Sequence, residues 1–85
     1  MEEFFMKIYQ VNFKSIDHVK NFVEYIQHVD SDIDLMRDRY VIDAKSIMGV
    51  FSMDLSKPID MIVHSDEKAT LKEVENICNN LGLFA

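Results

Sequence analysis

Apolar residues recur along the chain at three- and four-residue spacing in two segments, which predicts two amphipathic helices. The stripe of the first helix consists of Ile16, Val19, Phe22, Val23, Ile26 and Val29. The stripe of the last helix consists of Leu71, Val74, Ile77, Cys78 and Leu81. Ser15 is suited to cap the first helix, residues 65–67 to supply the cap and first-turn acids of the last, and Gly82 to end it. Both stripes are expected to pack on a sheet.

Four other segments alternate or are rich in β-branched and aromatic residues, which predicts strands. The first is expected at residues 5–11 and the fourth at 59–64, while residues 32–37 and 40–42 predict a hairpin that turns at Asp38. Residues 45–53 are too apolar for a loop, so a short helix capped by Ser46 is expected there. The order is βαββαβα. It predicts an α+β sandwich of two layers in a single domain spanning residues 1–85.

Composition and charge narrow the classes of function. Of the 85 residues, 48% are hydrophobic and 28% charged, a balance typical of a folded domain. Fifteen acidic residues against nine basic ones give a net charge of -6, which argues against nucleic-acid binding and serves either solubility or the recruitment of a basic protein. One cysteine, no signal-peptide pattern and no long apolar run predict a cytoplasmic protein that does not enter a membrane.

Residues with catalytic or ligating chemistry are sparse. The three histidines, His18, His28 and His64, are scattered, and Cys78 falls on a core-facing stripe, so no metal-ligand spacing is present. The two glycines cannot form a phosphate-binding loop, and no nucleophile has a base at a recognisable spacing. The sequence therefore predicts a protein without enzymatic activity, cofactor or metal.

The short helix carries the most specific pattern. Residues 43–53 read DAKSIMGVFSM, which closely resembles the signature around the regulatory serine of HPr, the small phosphocarrier of the bacterial sugar phosphotransferase system. The five residues KSIMG match the common form of that signature, and the order of elements, Lys57 and Gly82 extend the resemblance more weakly over the whole chain. The resemblance implies an HPr-like open-faced sandwich, with a four-stranded antiparallel sheet in the order 1-4-2-3 and three helices on one face.

The carrier site of that family departs from its pattern here. Helix one of HPr begins with a Gly-x-His-x-Arg-Pro motif, in which the histidine accepts phosphate and the arginine stabilises it. Ser15 stands in the place of the histidine and Asp17 in the place of the arginine. A hydroxyl cannot form the labile phosphoramidate, and a carboxylate repels phosphate by roughly a few kcal/mol at short range in a partly desolvated site. We expect no relay at Ser15. His18, in the first helical turn, is either an ordinary solvated histidine or the acceptor of a divergent carrier.

By resemblance, the short helix keeps two other features of HPr. Ser46 corresponds to the serine that a dedicated kinase phosphorylates before the protein joins a transcription regulator; it would offer phosphate a helix N-terminus, with Lys45 beside it. Alternatively, Ser46 is only an N-cap. Ile47, Met48 and Phe51 correspond to the residues that dock partners in HPr, and an exposed apolar patch is expected there because so short a helix cannot bury all of its apolar residues. The alternative is that all three belong to the core.

Three hypotheses follow. The first is an HPr-like regulatory or binding protein in carbon or sugar-uptake regulation, which acts through Lys45, Ile47, Met48 and Phe51 and is switched at Ser46. Its partners would be HPr kinase, a transcription regulator or phosphotransferase-system proteins. The second is a divergent phosphocarrier that uses His18, which requires the His18 ring to reach the helix N-terminus near Ser15. The third is a structural module in which the patch pairs with itself, so the chain is expected to be a monomer or a weak homodimer.

Overall fold

The computed structural model describes residues 6–84, in which four strands and three helices alternate in the predicted βαββαβα order. The strands are β1 (Lys7–Val11), β2 (Ile33–Arg37), β3 (Tyr40–Asp43) and β4 (Ile59–Val63). The helices are α1 (Ile16–Ile26), α2 (Ile47–Phe51) and α3 (Lys68–Leu81). None of these helices has the length and apolarity that a bilayer crossing requires.

The strands form one antiparallel sheet in the order β1-β4-β2-β3, which confirms the strand order that the resemblance implies. The hairpin between β2 and β3 turns at Asp38 as predicted, with a left-handed φ of 56°. β1 and β3 are the outer strands. Phe84 forms a bridge with Val11, and the Asn12 N–H donates to the Leu83 carbonyl at 2.7 Å, so the chain returns to the outer edge of β1 after α3.

The helices cover one face of the sheet and enclose a single apolar core with it. Of the residues in α1, four are buried: Val19, Phe22, Val23 and Ile26. The ring of Phe22 meets that of Phe13 edge-on, with centroids 5.1 Å apart, so the loop before α1 is anchored to the helix. From α3, Val74 and Cys78 are fully buried, while Leu71, Ile77 and Leu81 are partly buried against the core. Both predicted helical stripes therefore pack largely as expected.

The prediction for the first stripe is wrong at its first and last residues. Ile16 is 63% exposed, because it is the first residue of α1 and lies beyond the core that the later turns of the helix cover. Helix α1 ends at Ile26, so Val29 lies outside it; it is buried nonetheless, because the chain closes a tight turn in which the Val29 N–H donates to the Ile26 carbonyl at 3.0 Å. Phe5, predicted to begin β1, lies outside the described residues.

Other element boundaries also differ from the predictions, and β2 (Ile33–Arg37) and β3 (Tyr40–Asp43) do so by one residue each. Helix α2 occupies residues 47–51 of the expected 45–53, and Ser46 caps it as predicted. Strand β4 ends at Val63, one residue early. Helix α3 begins at Lys68 with Glu67 as an N-cap that makes no side-chain bond. The Ser65 hydroxyl accepts from the Glu67 N–H at 3.1 Å and so closes a turn ahead of the helix, which places the acids of residues 66–67 before its first turn. Gly82 ends α3 in the expected left-handed conformation, with φ 68°.

Candidate functional site

The start of α1 holds the residues that the resemblance aligns with the carrier site. Ser15 caps the helix: its Oγ accepts from the His18 N–H at 3.1 Å. Asp17 lies in the first turn and is exposed. The His18 ring folds back towards the N-terminal end of the helix, where its Nδ1 accepts from the Lys14 N–H at 3.4 Å. The ring therefore reaches the helix end near Ser15, as the second hypothesis requires.

The hydrogen bonds at this end limit its chemistry. The hydrogen bond from the Lys14 N–H occupies the lone pair of His18 Nδ1. The Ser15 hydroxyl already satisfies one of the N–H groups that would otherwise face an anion. The Asp17 carboxylate adds a negative charge to the same turn. This arrangement stabilises the start of the helix, and the absence of phosphate relay at Ser15 stays a prediction.

An apolar cleft joins the start of α1 to α2. Its volume is about 360 Å³, and Ser15, Ile16, Phe51 and Leu55 are among the residues that line it. His18 is not among them. The cleft places the exposed Ile16 on the same surface as the end of α2. A partner that docks on α2 would therefore also contact the turn that begins α1.

Ser46 is exposed and accepts from the Gly49 N–H through its Oγ at 3.2 Å. A Cβ on Gly49 would lie 3.3 Å from that Oγ and 3.5 Å from the Ile42 Cβ. The glycine of the KSIMG string therefore leaves room for the serine hydroxyl against β3. Asp43 is the nearest acid in the chain, and its carbonyl accepts from the Ser46 N–H at 3.0 Å.

Lys45 makes contacts that the sequence did not indicate. Its Nζ donates to the Val29 carbonyl at 2.7 Å, and its own carbonyl accepts from Gln27 Nε2 at 2.5 Å. These two hydrogen bonds connect the end of α1 to Lys45, which directly precedes the N-cap of α2. The ammonium is therefore engaged by backbone at the far end of α1, and a role for Lys45 in holding phosphate or a partner stays a prediction.

Three side chains of α2 face solvent and form what we call the α2 patch: Ile47, Met48 and Phe51. Met48 is 77% exposed, and Ile47 and Phe51 are each 38% exposed. Only Val50 of this helix is fully buried. The alternative in which all of these residues belong to the core is therefore wrong, because a helix of five residues turns only one side chain fully into the core. Near the patch, the Tyr40 hydroxyl and Ser52 Oγ are hydrogen-bonded at 2.8 Å.

The remaining reactive side chains that the sequence singled out are Cys78, His28 and His64. Burial, and secondarily the charge of Glu75, raises the pKa of the Cys78 thiol to about 12, so the thiolate is scarce at neutral pH. His28 is exposed, and His64 Nε2 lies 2.8 Å from Asp34 Oδ2. Within residues 6–84, no three metal-ligating side chains come together in a way that could hold an ion. The His64–Asp34 contact joins residues 30 positions apart, and only the register of β2 and β4 could have revealed it.

Comparison with solved structures identifies the fold. Over 91% of this chain and 93% of the other, HPr-C-His from Thermoanaerobacter tengcongensis superposes with a TM-score of 0.69 at 20% sequence identity. The phosphocarrier protein HPr from Bacillus anthracis strain Ames superposes with a TM-score of 0.68 at 24% identity, over 89% of this chain and 98% of that one. No protein-family model matches the chain, and no curated protein matches its sequence. The chain therefore has the fold of HPr.

Proposed function

We propose that the protein is an HPr-like, non-catalytic regulatory protein of the bacterial cytoplasm that binds protein partners through the α2 patch and does not relay phosphate. The single observation that carries this proposal is the exposure of Ile47, Met48 and Phe51 on a five-residue helix in the HPr fold. Flexible methionine and aromatic side chains suit an adaptable interface. The cleft that runs from Phe51 to Ile16 extends the apolar contact.

The start of α1 supports the absence of phosphoryl transfer. A phosphocarrier needs a nitrogen nucleophile beside a cation, and by resemblance that place holds Ser15 and Asp17. The Ser15 hydroxyl accepts the cap hydrogen bond, and Asp17 would raise the energy of an incoming phosphate. Carbon or sugar-uptake regulation through contacts with HPr kinase, a transcription regulator or phosphotransferase-system proteins is the role that fits such a protein.

Phosphorylation of Ser46 is the switch that we assign to this function. The hydroxyl is exposed, and a phosphate there would find the Gly49 N–H and its neighbours at the start of α2. Asp43 opposes the added charge, and Lys45 is held by the Val29 carbonyl. Phosphate at Ser46 would therefore act mainly by placing negative charge beside the α2 patch, where it admits partners that carry arginine or lysine and repels acidic ones.

A phosphocarrier that uses His18 is the second candidate, favoured by the return of its ring to the helix N-terminus. The two candidates predict opposite results in one assay. Incubation with radiolabelled phosphoenolpyruvate and the general phosphotransferase enzyme, with an authentic HPr as positive control, should leave this protein unlabelled. Acid-labile label that disappears in His18→Ala would establish the second candidate and refute the first.

Partner binding is tested with matched surface variants. The Met48→Asp protein should lose the partners that the wild type recovers from cells of the source organism. Tyr25→Asp, which changes a large, 54% exposed side chain on α1 in the same way, should retain them. Ser46→Asp should change which partners are recovered. Equal recovery by Met48→Asp and the wild type would remove the α2 patch from the proposal.

A further inference from the structure

The face of the sheet opposite the helices is uncovered within residues 6–84, and strand register fixes which side chains meet on it. Side chains alternate between the two faces of a strand, and directly opposed residues share a face. Two rows therefore cross the uncovered face, and we call these eight residues the open face. The first row is Ile8, Ile62, Asp34 and Asp43, and the second is Gln10, Asp60, Met36 and Val41.

Half of the open face is apolar. Ile8 is opposed to Ile62 across β1 and β4, and Met36 is opposed to Val41 across β2 and β3. Ile8 and Val41, at the two outer strands, are 54% and 51% exposed. Ile62 is only 9% exposed, yet it does not belong to the core cluster beneath the helices. The two apolar pairs thus lie at opposite corners of the open face.

The acids of the open face lie between and beside these pairs. Asp34 and Asp43 are directly opposed on β2 and β3, and like charges in that position destabilise a sheet. Asp60 lies in the centre of the second row. No lysine or arginine belongs to the eight residues. The strand cations lie on the helix side instead, where Lys7 meets Glu75 at 3.7 Å and Arg37 donates to the Pro58 carbonyl at 3.0 Å.

The negative charge at the Asp34 corner lacks full compensation. His64 is the only cationic side chain that contacts Asp34 among the described residues, at 2.8 Å, and it is charged only when protonated. The Asp43 carboxylate accepts from the Lys45 backbone N–H, which brings no unit charge. Asp32, Asp34, Asp43 and His64 line a cleft of about 350 Å³ at this corner. The cleft has room for a long basic side chain, which would relieve the repulsion between Asp34 and Asp43.

We propose that the open face is a second docking surface, whose occupant is a segment of a partner protein that presents lysine or arginine and aliphatic side chains together on one face. The cations would lie against Asp34, Asp43 and Asp60, and the aliphatic side chains against the Ile8–Ile62 and Met36–Val41 pairs. The net charge of -6 favours the approach of such a partner and opposes that of anionic ones. The surface lies on the opposite side of the sheet from the helices, so it can be occupied while the α2 patch holds another protein.

The test is an NMR titration of the whole protein with a synthetic peptide in which pairs of lysine alternate with pairs of valine, so that each face of the extended chain carries both residue types. We expect amide shifts on the four strands and none on α2. Asp34→Asn combined with Asp60→Asn should weaken the affinity about tenfold, as expected for the loss of two exposed ion pairs. This double variant should remain folded, because it removes like charge from the sheet. Glu24→Gln combined with Glu73→Gln changes the net charge equally on α1 and α3, and should bind the peptide as the wild type does.

Every other outcome overturns the proposal. Absence of binding, or shifts centred on the α2 patch, would show that the open face is not the docking surface. Equal weakening by the two double variants would show attraction by net charge alone. Equal affinity for the same peptide with serine in place of valine would show that the apolar pairs take no part. The phosphotransfer and pull-down results do not bear on any of these readouts, so this proposal and the proposed function fail separately.

Discussion

The two helices that begin with a serine cap, α1 and α2, differ in how they are held. The caps are nearly identical, with Oγ accepting from the N–H three residues on at 3.1 Å in α1 and 3.2 Å in α2. Helix α1 then buries four side chains, whereas α2 buries one and leaves its other apolar side chains between 38% and 77% exposed. The two helices therefore begin with the same kind of cap but differ in role. Helix α1 is part of the scaffold because it buries four side chains, and α2 forms a surface because it buries only one.

The largest loss of stability is expected when the buried ring that holds α1 is removed. Phe22→Ala removes a fully buried ring that packs on Phe13, and we expect it to lower the free energy of unfolding by about 3–5 kcal/mol. Guanidinium denaturation followed by far-UV circular dichroism measures this. Phe13→Leu, which keeps an apolar side chain at the neighbouring position, should cost clearly less. A smaller loss for Phe22→Ala than for a change in α2 would contradict the assignment of α1 as the scaffold.

The anchor of α2 should matter less. Val50→Ala deletes two methyl groups from the single fully buried side chain of α2, and we expect a loss of about 2–3 kcal/mol. Native-state hydrogen exchange should show the amides of α2 opening before those of α1, because little burial holds the short helix. If both helices open together, α2 is not an independently labile element.

The two caps should be equivalent. Ser15→Ala and Ser46→Ala each remove one hydroxyl that accepts a single N–H, and each should lower the free energy of unfolding by about 1 kcal/mol. The two losses should agree within about 0.5 kcal/mol and add in the double variant, because the sites share no hydrogen bond. Thermal or chemical denaturation of the four proteins completes the cycle. A much larger loss at one serine would show that it has a further structural contact.

The smallest effect on stability is expected at the α2 patch. Met48→Asp changes a side chain that is 77% exposed, so the free energy of unfolding should stay within about 0.5 kcal/mol of the wild type. Measuring the denaturation of the Met48→Asp protein alongside the pull-down described above separates a binding defect from a folding defect. A large loss of stability would mean that Met48 supports the fold, and the loss of partners by this variant would then carry no information about docking.

Hydrophobic periodicity predicted the helices and strands well, because the residues that each element buries recur at the spacing typical of that element. It failed at Ile16 and Val29, since a stripe does not indicate where a helix begins and ends relative to the sheet. Ser65 was mistaken for the α3 cap because a hydroxyl that bonds two residues ahead and one that bonds three ahead look alike in sequence. Strand order came from the resemblance, and the structure confirms it.

The site was predicted only in part for a related reason. The exposure of Ile47, Met48 and Phe51 follows from the shortness of α2, which the sequence already indicated. The engagement of Lys45 by Val29 depends on how α1 unwinds at its end, and this has no local signature. The rows of the open face require the register of three strand pairs, whereas alternation along one strand shows only which side chains share a face.

The pairing of Phe84 with Val11 also limits how copies of the chain can associate through their backbones. Cross-β growth requires each molecule to offer hydrogen-bonding groups on both outer strands. Within residues 6–84, the returning chain pairs with Val11 and Asn12 at the end of β1 and so shortens the edge that this strand offers, and the other outer strand is β3. That strand is four residues long and ends in Asp43, and a short, charged edge resists such pairing. The returning segment thus reduces the exposed strand edge through which copies of the chain could form fibrils.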